Sequence, residues 1–243
     1  MLSYFLLDIF LFLCYTNCSQ YRNEGWKMRK IPTFDQAMEL VNSNESFMYK
    51  DEQLNDNVLI RTFHYALASY SDFCLPYSWN MRGIVFDLNT KEIVALPFEK
   101  FFNYKENPFT MDDYIKDKKI IRIMEKYDGS LVYFYMIDNV LYCRTKLNAF
   151  SEQAQFAMEI VNRDENLRKC IEVEIELGFT PMFEFISPRN QIVVAYNREQ
   201  LKYLCSRNMY NGNYVFKNFF EKYMAKQYIF NDIDEINDSI KTD

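Results

Sequence analysis

Lys126 opens the hexapeptide Lys126-Tyr127-Asp128-Gly129-Ser130-Leu131, and an alternating run, Val132-Tyr133-Phe134-Tyr135-Met136, follows directly. A short turn carrying Asp128 and Gly129 would place the lysine at the lip of a sheet, ready to attack a nucleotide phosphorus. For that chemistry the amine must be partly neutral near pH 7, and burial or neighbouring cations bring this about. The pattern K-x-D-G-S is short. Its weight comes from three other segments.

In Phe183-Glu184-Phe185 the period of two sends both phenylalanines to one face and the carboxylate to the other. Glu184 is therefore either an outward surface residue or an acid aimed into a pocket. In Arg82-Gly83-Ile84 the glycine permits close approach of backbone or ligand beside an arginine, or is a simple strand glycine. In Phe98-Glu99-Lys100-Phe101-Phe102-Asn103 a lysine sits among aromatics, suited to stacking a base and neutralising a phosphate. The plainer reading is a hydrophobic loop with a snorkelling lysine.

The elements that must position these residues are mostly strands. Pro32 to Asn42 reads as a helix capped by Thr33, and Ser151 to Val161 as a helix capped by Ser151. Asn57 to Tyr70 is strand-like, and Met81 to Asp87 pairs with Glu92 to Leu96 as a hairpin. Pro97 to Asn107 is an aromatic-rich loop. Ile120 to Glu125 and Leu131 to Met136 flank the lysine turn, and Val140 to Arg144 returns as a further strand. Thr180 to Phe185, Gln191 to Tyr196 and Leu201 to Arg207 are strands, and Phe216 to Ile240 reads as mostly helical. Strands outnumber helices and neighbours look hairpin-connected, which predicts an α+β domain built on antiparallel sheets with flanking helices.

Composition agrees. Of 243 residues 18% are aromatic, with 22 Phe and 19 Tyr against 5 Gly and 6 Pro, which argues against long disorder. The formal charge of −6 excludes a basic nucleic-acid coat but not a local basic groove. The run Lys116 to Arg122 is either such a groove or a solvated face. His64, the single histidine, excludes His-based triads and a His-rich metal centre. Six cysteines without CxxC spacing predict reduced, mostly buried thiols and no zinc site. Residues 1–30 read as a hydrophobic N-terminal extension or leader. Asp8 interrupts the apolar run, a basic n-region is missing, and no stable membrane span is expected. The cytoplasm is the expected compartment.

Together, Arg82 to Phe86, Phe98 to Asn103 with Glu106-Asn107-Pro108-Phe109-Thr110, Lys126 to Leu131, and Phe183 to Phe185 with Arg189 to Tyr196 resemble the N-terminal, adenylating part of the phage-type ATP-dependent RNA ligases. This is the single-strand, tRNA-repair kind. Tyr65 to Asp72 fits as well, and the likeness runs from about residue 32 to at least residue 207. The resemblance implies an ATP-grasp-like nucleotidyltransferase adenylation domain at 31–243. It implies ATP as AMP donor, Mg2+, and RNA 5′-phosphate and 3′-hydroxyl ends as partners.

Carried over position by position, Lys126 is the catalytic nucleophile and Gly129 gives the backbone room at the phosphate. Arg82 contacts the nucleotide or its phosphates, Tyr65 lies near the nucleotide, and Lys100 and Phe102 belong to a loop needed for adenylation. Glu184 touches the ribose or a metal-bound water. Lys146 fits a basic motif, with Arg144 as the alternative, although the usual glycine after it is replaced by Leu147-Asn148. The family's E-G-x-V and K-x-K strands are not found before Asp243. The expectation is therefore a C-terminally truncated domain lacking the last motifs, with a second polypeptide as one way to supply them. Two other readings stay open: a catalytically weak nucleotide- or RNA-binding relic, and a DNA-ligase or capping-type nucleotidyltransferase.

Overall fold

The computed structural model describes residues 9–12, 25–115, 122–190, 194–230 and 235. Strand β1 (Ile9–Phe12) and the short helix α1 (Gly25–Arg29) precede α2 (Phe34–Ser43). Thr33 caps α2 as its sequence implies. Its hydroxyl accepts the Gln36 N–H at 3.3 Å, and the Gln36 side chain accepts the Thr33 N–H at 3.0 Å. Next come β2 (Phe47–Asn55), β3 (Val58–Tyr65), β4 (Ile84–Asp87) and β5 (Ile93–Ala95), which form a four-stranded sheet in chain order. Beyond the aromatic loop and α3 (Asp112–Ile115) lie β6 (Arg122–Glu125), β7 (Ser130–Ile137) and β8 (Val140–Thr145). Helices α4 (Glu152–Arg163) and α5 (Glu165–Glu176) lead to β9 (Phe179–Ile186), β10 (Gln200–Asn208), β11 (Tyr214–Val215) and β12 (Gln227–Tyr228).

The central sheet has the order β11-β10-β9-β7-β8, and a small third sheet has the order β1-β6-β12. Every strand ladder among the described residues is antiparallel. The α+β class read from the sequence is the observed one.

Both faces of β7 are covered, which is why its sequence runs apolar without a polar alternation. Val132 and Phe134 pack with Phe183 and Phe185 of β9 beneath Ala157 and Val161 of α4 and Ile171 of α5. Tyr133 and Tyr135 point the other way, with Met182, onto Val58, Ile60 and Val85 of the four-stranded sheet. A third cluster joins Phe34 and Leu40 of α2 to Phe63, Phe73, Trp79 and Phe86. The layers run helices, central sheet, four-stranded sheet, α2. The face of β9 that carries Met182 and Glu184 therefore looks toward the space between the two sheets.

Several expectations are corrected. The tail from Phe216 is not mostly helical within the described residues: a 3-10 turn at Asn218–Tyr223 is followed by β12. Tertiary contacts override the local preference. Phe220 stacks on Tyr203 at 4.2 Å, the Tyr223 hydroxyl reaches Asp164 at 2.6 Å, and β12 pairs with β6. Residues 194–196 form no strand, because the Val194 N–H goes instead to Asp128 at 2.7 Å; residues 191–193 lie outside the described residues. The strand expected to reach Tyr70 ends at Tyr65. Strand β2 and helix α5 were not expected. The first is a largely exposed edge strand with little alternation, whereas α5 had a legible cap in Asp164 and an apolar stripe in Leu167, Ile171 and Ile175.

Residues 25–30, assigned to the extension, are packed onto the domain. Met28 is buried, the Asn80 amide donates to the Arg29 and Lys30 carbonyls at 2.9 and 2.8 Å, and Arg29 pairs with Glu99. Among the described cysteines, Cys143 and Cys205 are buried, Cys170 is half-buried, and Cys74 is exposed against expectation. The run at 116–121 lies outside the described residues. No described helix is long and apolar enough to cross a membrane.

Candidate active site

Lys126 leaves the end of β6 and enters the turn before β7, where the chain passes from the small sheet to the central one, and its side chain is exposed. The turn is held from three sides. The Asp128 N–H donates to the Tyr196 hydroxyl at 2.9 Å, the Asp128 carboxylate accepts the Val194 N–H at 2.7 Å, and the Tyr127 hydroxyl accepts the Lys226 N–H at 3.3 Å. Gly129 sits against β9. A Cβ there would press on the Phe185 carbonyl oxygen and lie 2.9 Å from Ile186 Cγ2. The missing side chain is thus what lets β9 run alongside the turn.

Glu184 obeys the alternation read from Phe183-Glu184-Phe185: both rings are fully buried under the helices and the carboxylate faces the space between the sheets. Burial pushes its carboxyl up to about 7, against the opposing pull of Lys126, of the Gly129 N–H and of Arg82. Lys126 and Arg82 thus act on one carboxylate from segments 44 residues apart.

Arg82, which acts on Glu184, gathers with Lys100 and Lys146. The Lys146 ammonium lies 4.0 Å from the centroid of the Tyr65 ring, and the Arg82 guanidinium lies 4.5 Å from the Phe101 ring centroid. Burial, with Arg82 and Lys100 adding repulsion, lowers the Lys146 amine to about 8. Burial likewise lowers Lys100, helped by Arg82 and opposed by Glu106. None of the three cations has a carboxylate within ion-pair distance among the described residues. His64, at the end of β3, is half-buried; burial, then Lys146, lowers its pKa.

The loop that delivers Lys100 is anchored by Glu99, which pairs with Arg29 and lies 3.6 Å from the buried Arg207. Arg207 also donates to the Pro97 carbonyl at 2.7 Å, and the Lys100 N–H donates to the Trp79 carbonyl at 2.7 Å. Phe102 is wedged against Phe73 and Trp79, at 5.7 and 5.6 Å, with the Lys100 ammonium 4.3 Å from its ring centroid. Its ring supports Lys100, and the two line one small pocket with Tyr70, Phe73 and Glu106.

Arg144, the alternative to Lys146, is fully buried and pairs with Glu52 of the other sheet at 2.9 Å. It joins the sheets and does not enter the cleft. Gly83 has φ +98°, a conformation that favours glycine, and its carbonyl accepts the Tyr133 hydroxyl at 2.7 Å. The close approach beside Arg82 is therefore to protein. The sequence reading missed Phe101 under Arg82 and the tie of Asp128 to residues 194–196. Neither has a local signal, because each depends on a partner far along the chain.

A family model described as RNA ligase matches residues 80–240, more than half of this chain. The chain belongs to the RNA ligase family. The matched span contains Arg82, Lys100, Lys126, Lys146 and Glu184. This RNA ligase family member is 30% identical over 183 residues to a protein of Thermovibrio ammonificans provisionally named an RNA ligase, covering 75% of this chain and 47% of that protein. It is 29% identical over 159 residues to a protein of Autographa californica nuclear polyhedrosis virus provisionally named a bifunctional polynucleotide kinase/RNA ligase, covering 58% of this chain and 23% of that one. The chain thus spans less than half the length of either relative. Its fold is shared with an archaeal ATP-dependent RNA ligase at a TM-score of 0.57 and 12% identity, over 88% of this chain and 55% of that one.

Proposed function

We propose that this chain carries the adenylating chemistry of an ATP-dependent RNA ligase that joins 5′-phosphate to 3′-hydroxyl ends in RNA or tRNA repair. The observation that supports it most is the grouping of Arg82, Lys100 and Lys146, with no ion-paired carboxylate among the described residues, where Arg82 and Lys126 both act on the Glu184 acid. Three half-buried cations repel one another, and a triphosphate relieves that repulsion.

The Lys126 amine attacks the α-phosphorus of ATP. A nitrogen–phosphorus bond forms as the bond to the pyrophosphate oxygen breaks, and the amine proton passes to solvent. Arg82, Lys100 and Lys146 hold the departing pyrophosphate, whose charge grows in the transition state. An oxygen of an RNA 5′-phosphate then attacks the adenylate phosphorus, breaking the bond to Lys126. Finally an RNA 3′-hydroxyl attacks the 5′-phosphorus, the strand is sealed and AMP leaves.

Magnesium typically uses one or two carboxylates and completes its shell with water and phosphate. No cluster of three or more acidic, His or Cys ligands exists among the described residues. Glu184 fits an ion held through water and phosphate, and such an ion would neutralise phosphate charge.

Incubation with magnesium and ATP labelled at the α-phosphate tests the reading. Covalent label on the protein, lost in Lys126→Ala, is the expected result. Full labelling of Lys126→Ala would overturn the nucleophile. ATP binding without any label would make this a binding module, and label from GTP or sealing confined to nicked DNA would move it to the capping or DNA-ligase class.

A further inference from the structure

We infer that Lys202 holds a backbone phosphate of the RNA strand, at a position separated from the Arg82-Lys100-Lys146 cluster by Glu184. This rests on the ligase reading of the cleft. The cleft face of the central sheet presents one row of side chains across four strands. Lys202 of β10 stands opposite Glu184 of β9, and Glu184 stands opposite Leu131 of β7. Val132 of β7 pairs with Thr145 of β8, so Lys146, one residue on, comes level with Leu131. Strands lie about 4.8 Å apart, which puts Lys202 one spacing from Glu184 on one side and Lys146 two spacings away on the other.

Directly opposed residues share a face, so Lys202 shares the cleft face with Glu184. It is half-buried, yet its ammonium is within ion-pair distance of no carboxylate among the described residues, Glu184 included. It lies instead 5.8 Å from the centroid of the Tyr127 ring, near the outer limit of a cation–π contact. Its charge is thus left largely uncompensated, beside the turn that carries Lys126. A nucleotide whose phosphates fill the cluster at the other end of the row turns an uncharged nucleoside away from them. A polynucleotide, with a phosphate at every residue, supplies an anion at both ends.

The test measures binding of a short 5′-phosphorylated single-stranded RNA, and of ATP, to the wild-type chain, Lys202→Ala and Lys202→Arg across a range of salt. Lys202→Ala is expected to weaken RNA binding about ten-fold and to reduce the slope of log affinity against log salt by about 0.7, one phosphate contact on a single strand. Lys202→Arg, which keeps the charge, is expected to retain most of both. A Lys202→Ala variant that matches wild type in RNA affinity and slope overturns this inference alone. An equal loss of ATP affinity in that variant overturns it too, by assigning Lys202 to the nucleotide. A wild-type chain that neither takes label from ATP nor binds RNA removes the ligase reading and this inference with it.

Discussion

Gly129 lies directly against Glu184: a Cβ built on it would stand 3.1 Å from Glu184 Cγ, so the turn that carries Lys126 is packed against the acid. This approach is possible because Gly129 has no side chain: β9 runs too close for a Cβ. The turn before β7 and the strand that carries Glu184 are thereby held close together by backbone packing.

Gly129→Ala is expected to force the turn away from β9 and from Glu184. An overpacked methyl costs about 1–3 kcal/mol, and in a domain of this size each kcal/mol lowers the melting temperature by about 2–4 °C. Adenylate formation should fall along with Tm. An unchanged melting curve would show that the strand yields freely at this point.

Glu184 has a folded pKa near 7, raised from the carboxylate value of 4.5 chiefly by burial. A raised carboxyl contributes stability that is full below the unfolded pKa and is lost as pH rises through the folded one. Glu184→Gln, which stays neutral, should therefore gain Tm relative to wild type at pH 8 and little at pH 4. Thermal melts at the two pH values check this, and an equal difference at both would mean that Glu184 is not shifted upward.

Lys146, lowered to about 8 in the free chain by burial and by Arg82 and Lys100, should be driven back to its charged form by a bound triphosphate. ATP binding then takes up a proton near pH 8. Affinity should be highest below that pH and fall above it, by at most about ten-fold per pH unit for one linked proton. Calorimetry in buffers of different ionisation enthalpy reads the uptake directly. Lys146→Arg should flatten the dependence, and a pH-independent affinity in wild type would remove Lys146 from the phosphate site.

Arg144→Ala should act on stability instead of nucleotide binding. It leaves the buried Glu52 with only the more exposed Lys50 ammonium, at 3.0 Å, as cationic partner, a loss of up to about 3–5 kcal/mol for a broken buried pair. Lys146→Ala should do the reverse, keeping the urea midpoint near wild type while weakening ATP binding. If Arg144→Ala unfolds at the wild-type urea concentration, the pair does not hold the sheets together.

Much of the site was legible residue by residue. The face taken by Glu184 follows from strand alternation, the caps at Thr33 and Ser151 from hydroxyls three residues ahead of a free N–H, and the family from motifs whose chemistry sits in a few adjacent positions. These are short-range properties, and neighbours in the chain are enough to set them. Only the folded chain decided that Lys146 enters the cleft while Arg144 is spent on Glu52, 92 positions away, and that Gly129 makes room for β9. The same holds for residues 216–230, whose last strand pairs with β6 where a helix was the local expectation. Each of those outcomes depends on which distant strand lies alongside, and the side chains next to a residue hold no record of a partner brought there by the packing of two sheets.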